Sequence, residues 1–182
     1  MENQNTSLKN RDFLINELNL KTKNNTVIYF ENEQFVVLSP GIQNDRYSFD
    51  LNKSSVEKAL NSNKKSFLII RYFEEFLVSE LEKLMEQVLV EQNLHTYQDG
   101  RQKWSMQVRE ENGELFANVY SHDKSLRLQK MTKEELKQFM IEHSETNQIQ
   151  TAVIEANQID IPLHIHSYLT SRGFLYSEEN IA

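Results

Sequence analysis

Ser66-Phe67-Leu68-Ile69-Ile70-Arg71-Tyr72-Phe73 is a near-continuous apolar run. A strand with one wet face alternates apolar and polar residues, whereas a strand covered on both faces need not. This stretch therefore reads as the central strand of a sheet, and the rest of the chain is placed around it. Upstream, Arg46-Tyr47-Ser48-Phe49-Asp50-Leu51 alternates, predicting a half-buried strand with Tyr47, Phe49 and Leu51 inward. Between the two lies a short helix through Val56, Ala59 and Leu60, capped by Ser54 or Ser55. Strand, helix and strand in succession suggest a crossover connection.

Further upstream, residues 26–30 and 34–38 read as strands of a hairpin, joined by Glu31-Asn32-Glu33 and closed by Pro40-Gly41. Residues 21–25 are a polar break. Before it, Thr6 or Ser7 can cap a helix carrying Leu8, Phe13, Leu14 and Leu18. Downstream, Ser79-Glu80-Leu81-Glu82 has the form of a capping box opening a helix through Leu84, Met85, Val88 and Leu89. Glu74, Glu75, Glu80, Glu82, Glu86 and Glu91 make this quarter acidic and unsuited to phosphate.

Residues 95–101 form a polar loop. Lys103-Trp104-Ser105-Met106-Gln107-Val108-Arg109 then alternates strictly, with Trp104, Met106 and Val108 on the buried side. Asn112-Gly113 is a strong hairpin signal, and residues 115–120 are the return strand. Residues 125–130 suggest a third strand. Thr132 and Glu135 form a second capping box, before Leu136, Phe139 and Met140. Residues 151–155 suggest a late strand. The expected fold is α+β: a mixed or antiparallel sheet of about six strands with helices packed on it. Residues 1–160 are read as one domain, because neither side of the break near 93–102 is large enough to fold comfortably alone.

The chain has 182 residues, a net charge of −7 and no cysteine. Disulfides and thiolate metal sites are excluded, and the absence of cysteine fits a cytoplasmic protein. No run is long enough to cross a bilayer as a helix. The acidic balance argues against a generic nucleic-acid binder, although a local basic patch can still bind. No Gly-rich phosphate loop is present, so neither nucleotide hydrolysis nor a bound cofactor is expected. His164 and His166 point apart on a helix and cannot share a metal there. Glu135-x-Lys137 matches a short nuclease string, and Asp50 is a possible lone acid partner, but that string sits on a capped helix.

Tyr97, Arg101, Lys103, Trp104, Gln107 and Arg109 form the constellation with most chemical content. Base readers need cations for phosphate, amides for base edges and an aromatic surface for an unstacked base. Trp104 carries a competing reading as the largest core residue of its strand. Two further basic sets, Lys124, Arg127, Lys130 and Lys133, and Lys53, Lys58, Lys64 and Lys65, are equally consistent with charged surface.

At the other end of the chain, Pro162 opens a short helix with Ile165, Tyr168 and Leu169, and Gly173 stops it. Ser177, Glu178 and Glu179 then start another. Tyr168-Leu-x-Ser-x-Gly-Phe-x-Tyr-x-x-Glu-x-Ile-Ala182 resembles the segment preceding the nucleotide-binding core of McrB-like proteins, the AAA+ GTPase subunits of modification-dependent restriction systems. Residues 46–51 and 66–73 carry a looser similarity. The resemblance implies that 161–182 is a helical linker toward a motor following Ala182. It further implies a DNA target, possibly with modified cytosine, an oligomeric AAA+ ring, a nuclease partner subunit and a role in phage defence. Residues 1–160 would then be a DNA-recognition module without catalysis of its own. A protein-interaction or effector-sensing domain is the alternative, and a nuclease-like enzyme a lesser one.

Overall fold

The computed structural model describes residues 6–23, 28–42, 47–120 and 122–144. The suggested strand at 151–155, the domain boundary at 160, both tail histidines and the tail motif lie outside these residues. By internal contacts the chain divides into residues 1–138 and 139–182.

The first unit is α+β with two sheets packed together. Its elements in order are α1 (Thr6–Asn16), β1 (Lys21–Thr22), β2 (Tyr29–Glu31), β3 (Phe35–Leu38), β4 (Ser48–Asn52), α2 (Lys53–Leu60), β5 (Lys65–Tyr72), β6 (Glu75–Glu80) and α3 (Leu81–Gln87). A 3-10 turn (Glu91–Asn93) follows, then β7 (His95–Thr96), β8 (Gln102–Glu111), β9 (Glu114–Val119), β10 (Ser125–Arg127) and β11 (Gln129–Met131). Residues 133–144 are helical.

The first sheet runs β1-β2-β3-β5-β6-β11, antiparallel except where β3 meets β5. The central position expected for β5 is borne out, and its apolar run has a physical reason. Leu68 and Ile70 join Val36, Leu38 and Leu77 in the core shared with the second sheet. Phe67 and Ile69 point the other way, where the Phe35 and Phe67 rings meet and Phe13 of α1 stacks on Phe76 at 4.7 Å. Both faces are dry.

The second sheet runs β10-β9-β8-β4, with β7 beside β8. Its inner face carries Phe49, Leu51, Trp104, Met106, Val108, Leu115, Ala117 and Val119. Val56 and Ala59 of α2 and Leu81 and Leu84 of α3 complete this core. The expected α+β class and its mixed sheet of six strands are borne out, and the structure adds a second sheet, in which β4 joins the long meander. The crossover links β3 to β5, with β4 and α2 lying between them in sequence, so β4 belongs to a different sheet from the strands on either side.

Several local readings change. The stretch marked as acidic contains β6, with Phe76, Leu77 and Val78 buried in it. Ser79 is part of β6, not an N-cap: Glu80 holds that position, and the Glu82 carboxylate accepts a hydrogen bond from Ser66. Asn52, not a serine, precedes α2, with no side-chain cap. The polar break at 21–25 contains β1, which pairs with β2. The strand expected at 125–130 is two strands: β10 belongs to the second sheet and β11 to the first, with buried Leu128 between them. The second capping box forms as expected. The Thr132 amide donates to Glu135 Oε2 at 2.7 Å, and the Glu135 amide donates to Thr132 Oγ1 at 3.2 Å.

Candidate nucleic-acid interface

The alternation of β8 sends Trp104, Met106 and Val108 inward and Lys103, Ser105, Gln107 and Arg109 outward. The Asn112-Gly113 turn sets this register, with φ of 54° and 81°. Both values are positive, as a type I′ hairpin requires. β4 pairs along β8 from Ser48–Gln107 to Asn52–Lys103, so Ser48, Asp50 and Asn52 share the outer face. β9 adds Phe116 and Asn118 opposite Arg109 and Gln107, and β10 adds Arg127 opposite Phe116.

β7 and β8 pair at His95–Lys103 and Thr96–Gln102, so the polar loop is a tight hairpin in its own right. The Tyr97 amide donates to the Arg101 carbonyl at 2.8 Å, and Gly100 turns the chain at a φ of 82°. Asp99 accepts from the Arg101 amide and from its Nε, at 3.1 and 2.7 Å. Those bonds hold its carboxyl below the usual aspartate range.

Tyr97, Arg101 and Lys103 therefore converge, as the sequence suggests. Lys103 Nζ lies 5.0 Å from the Tyr97 ring centre and the Arg101 guanidinium 5.8 Å from it, both within cation–π range. His95 meets the same ring edge-on at 4.6 Å. Together with Ile28, Asp50 and Asn52 the three residues line a cleft of about 350 Å³. Lys103 donates to Asp50 Oδ2 at 2.6 Å, and Ser105 donates to Asp50 Oδ1 at 3.0 Å. Its bonds to Asp50 and Tyr97 raise the lysine above its ordinary range. It is thus a fixed cation at neutral pH, not a base.

Trp104 is removed from the site. Its side chain is fully buried, and its Nε1–H donates to the Val90 carbonyl at 3.0 Å. It cannot stack on a base. Gln107 and Arg109 lie further along the outer face. Arg109 is exposed and makes no ion pair among the described residues. Across a strand rise of roughly 3.3 Å per residue it stands about 20 Å from Lys103.

Sequence reasoning missed Asp50 and Asn52 as partners of Lys103. The alternation of β4 marks them as outward, but only strand pairing across more than fifty residues, counted in the Lys103–Asp50 bond, brings them to Lys103. Tyr120 was also missed. Its amide donates to the Ser105 carbonyl at 2.9 Å, and its side chain is exposed. Asn118 braces that turn by donating to the Val119 and His122 carbonyls, both at 3.1 Å.

The other basic sets are neutralised in part. Lys53 pairs with Glu91, Lys64 with Glu31, Arg127 with Glu114 and Lys130 with Glu75. Glu135 and Lys137 are each engaged, in the capping box and with Glu17, so the nuclease string does not converge on a metal site. Among the described residues, no group of three potential ligands is arranged to hold a metal, and no helix is long and apolar enough to cross a membrane. Comparison with family models, curated proteins and solved structures finds no match for this chain.

Proposed function

We propose that this protein is a nucleic-acid recognition module that binds on the outer face of the second sheet, with the Tyr97 cleft receiving a base. The convergence of Tyr97, Arg101 and Lys103 with Asp50 and Asn52 around one polar cleft carries this reading. An extruded base needs an aromatic surface and hydrogen-bonding groups for its edge. Tyr97 supplies the surface. A carboxylate such as Asp50 accepts from the exocyclic amine of cytosine, and the Asn52 amide can both donate and accept. Arg109 is available to a phosphate along the strand, and Gln107 to a base edge.

The tail motif extends the proposal: an McrB-like restriction subunit of the cytoplasm that reads DNA, with modified cytosine as the preferred target. The module binds without a chemical step of its own, while a motor and a nuclease subunit act downstream.

Fluorescence anisotropy with unmodified and cytosine-modified duplexes, across roughly 50 to 200 mM salt, tests it. Tyr97→Ala and Asn52→Ala should reduce discrimination between the duplexes. Arg109→Ala should weaken binding to all of them and flatten the salt slope by about one unit. Absence of binding to any duplex at low salt would overturn the reading. A protein-partner reading is favoured by the ion pairs that neutralise Lys53, Lys64 and Lys130 outside this face.

A further inference from the structure

A second surface lies where the β5–β6 hairpin turns. Tyr72 and Glu75 form the last pair, leaving Phe73 and Glu74 as the turn. Phe73 has a φ of 56°, a position where a two-residue turn ordinarily takes glycine, and it is 65 % exposed. Tyr47, entering β4, also has a positive φ, of 49°. Bulky residues rarely adopt this conformation, and it persists only where surrounding structure enforces it.

The enforcing group is Arg71. Its side chain is 7 % exposed, its Nε donates to the Phe73 carbonyl at 3.0 Å, and a terminal nitrogen donates to Glu74 at 2.8 Å. The two left-handed aromatics meet through Tyr72. Ring centres are 4.8 Å apart for Tyr72 and Phe73, 5.3 Å for Tyr47 and Tyr72, and 6.0 Å for Tyr47 and Phe73. The Val108 amide donates to the Tyr47 carbonyl at 3.0 Å, and Glu110 follows two residues on along β8, on the same side of the strand, which brings it to the Tyr47 end of the cluster. Glu110 is exposed and makes no ion pair among the described residues. Glu74 is 81 % exposed, while Lys130 is committed to Glu75.

We propose that the Tyr47-Tyr72-Phe73 cluster docks a basic segment of a partner protein. An arginine would lie against the aromatic rings, with Glu110 and Glu74 as counter-ions. Guanidinium groups stack on aromatic faces and pair with carboxylates, so both halves of the surface suit one side chain. The same carboxylates disfavour phosphate. A second copy of a chain of net charge −7 would set like charges against each other. The surface is independent of the Tyr97 cleft and does not rest on nucleic-acid binding.

The test uses fluorescein-labelled hexa-arginine and hexa-lysine peptides with the full chain, read by anisotropy. Hexa-arginine should bind more tightly than hexa-lysine. Phe73→Gly should lose at least tenfold in affinity, and Glu110→Gln several-fold. Glu82→Gln with Glu86→Gln, on exposed α3 positions, removes two charges and should change little. Phe73→Gly suits the positive φ, so its unfolding midpoint should equal or exceed that of the parent. Equal loss from the α3 variant would reduce the effect to net charge and overturn the proposal. So would a failure of both peptides to bind, a lowered midpoint in Phe73→Gly, or self-association or DNA binding abolished by Phe73→Gly in place of peptide binding.

Discussion

Two adjacent residues of β8, Lys103 and Trp104, have opposite fates. Trp104 faces the core, where the Val90 carbonyl accepts from its indole N–H. Trp104→Ala should lower stability by about 3–5 kcal/mol in chemical denaturation, through the cavity it leaves. Trp104→Phe keeps most of the ring and should cost less, chiefly the hydrogen bond, about 1 kcal/mol, plus the volume lost. Lys103 faces outward, and its folded-state pKa is raised by Asp50 and Tyr97. A raised lysine contributes fully below its unfolded pKa and loses that contribution only as pH rises through the folded value. The stability difference between the parent and Lys103→Met should therefore be the same at about pH 6 and pH 9, shrinking only in stronger alkali. A difference that changes between those two values would assign the effect to another group.

Single elements owe their limits to a few backbone positions. Gly113 has a φ of 81° with no side chain nearby to obstruct a Cβ. Gly113→Ala should still destabilise by more than about 1 kcal/mol, because the penalty is conformational, not steric contact with neighbours. At the other end of the meander, Thr132 and Glu135 hold the start of the helix at 133–144. The hydrogen bonds from Thr132 lower the Glu135 pKa. A lowered carboxyl contributes above its unfolded pKa and loses that contribution as pH falls through the folded value. The destabilisation caused by Glu135→Gln should thus be present at neutral pH and fade in acid, as followed by thermal unfolding across a pH series. Both elements were legible as short local signals: Asn-Gly for the turn and Thr-x-x-Glu for the cap. The apparent cap at Ser79 failed because Phe76, Leu77 and Val78 extend β6 through that serine. Sheet pairing with β5 competes there with the local capping pattern and wins.

At the scale of the first unit, residues 1–138, the chain passes between the two sheets four times, the last at Leu128 between β10 and β11. One core shared by both sheets should unfold in one step. Trp104 fluorescence, reporting the second sheet, and far-ultraviolet circular dichroism should give superimposable denaturation curves. Two separated transitions would show that the sheets unfold independently. Patterns that depend on neighbours along the chain were readable from the amino-acid order alone: the doubly buried β5, the alternating face of β8, the Asn112-Gly113 turn, the cap at Thr132 and the α+β class. The Tyr97, Arg101 and Lys103 grouping was readable too, because a short hairpin brings residues six positions apart together. The tertiary structure alone decided that β4 leaves the first sheet and lays Asp50 and Asn52 beside Lys103. It alone decided that Lys53, Lys64 and Lys130 are spent in ion pairs, and that buried Arg71 holds Phe73 outward. The physical reason is that periodicity states which face a side chain takes, while pairing between distant strands and the choice of ionic partner depend on which surfaces fit in three dimensions.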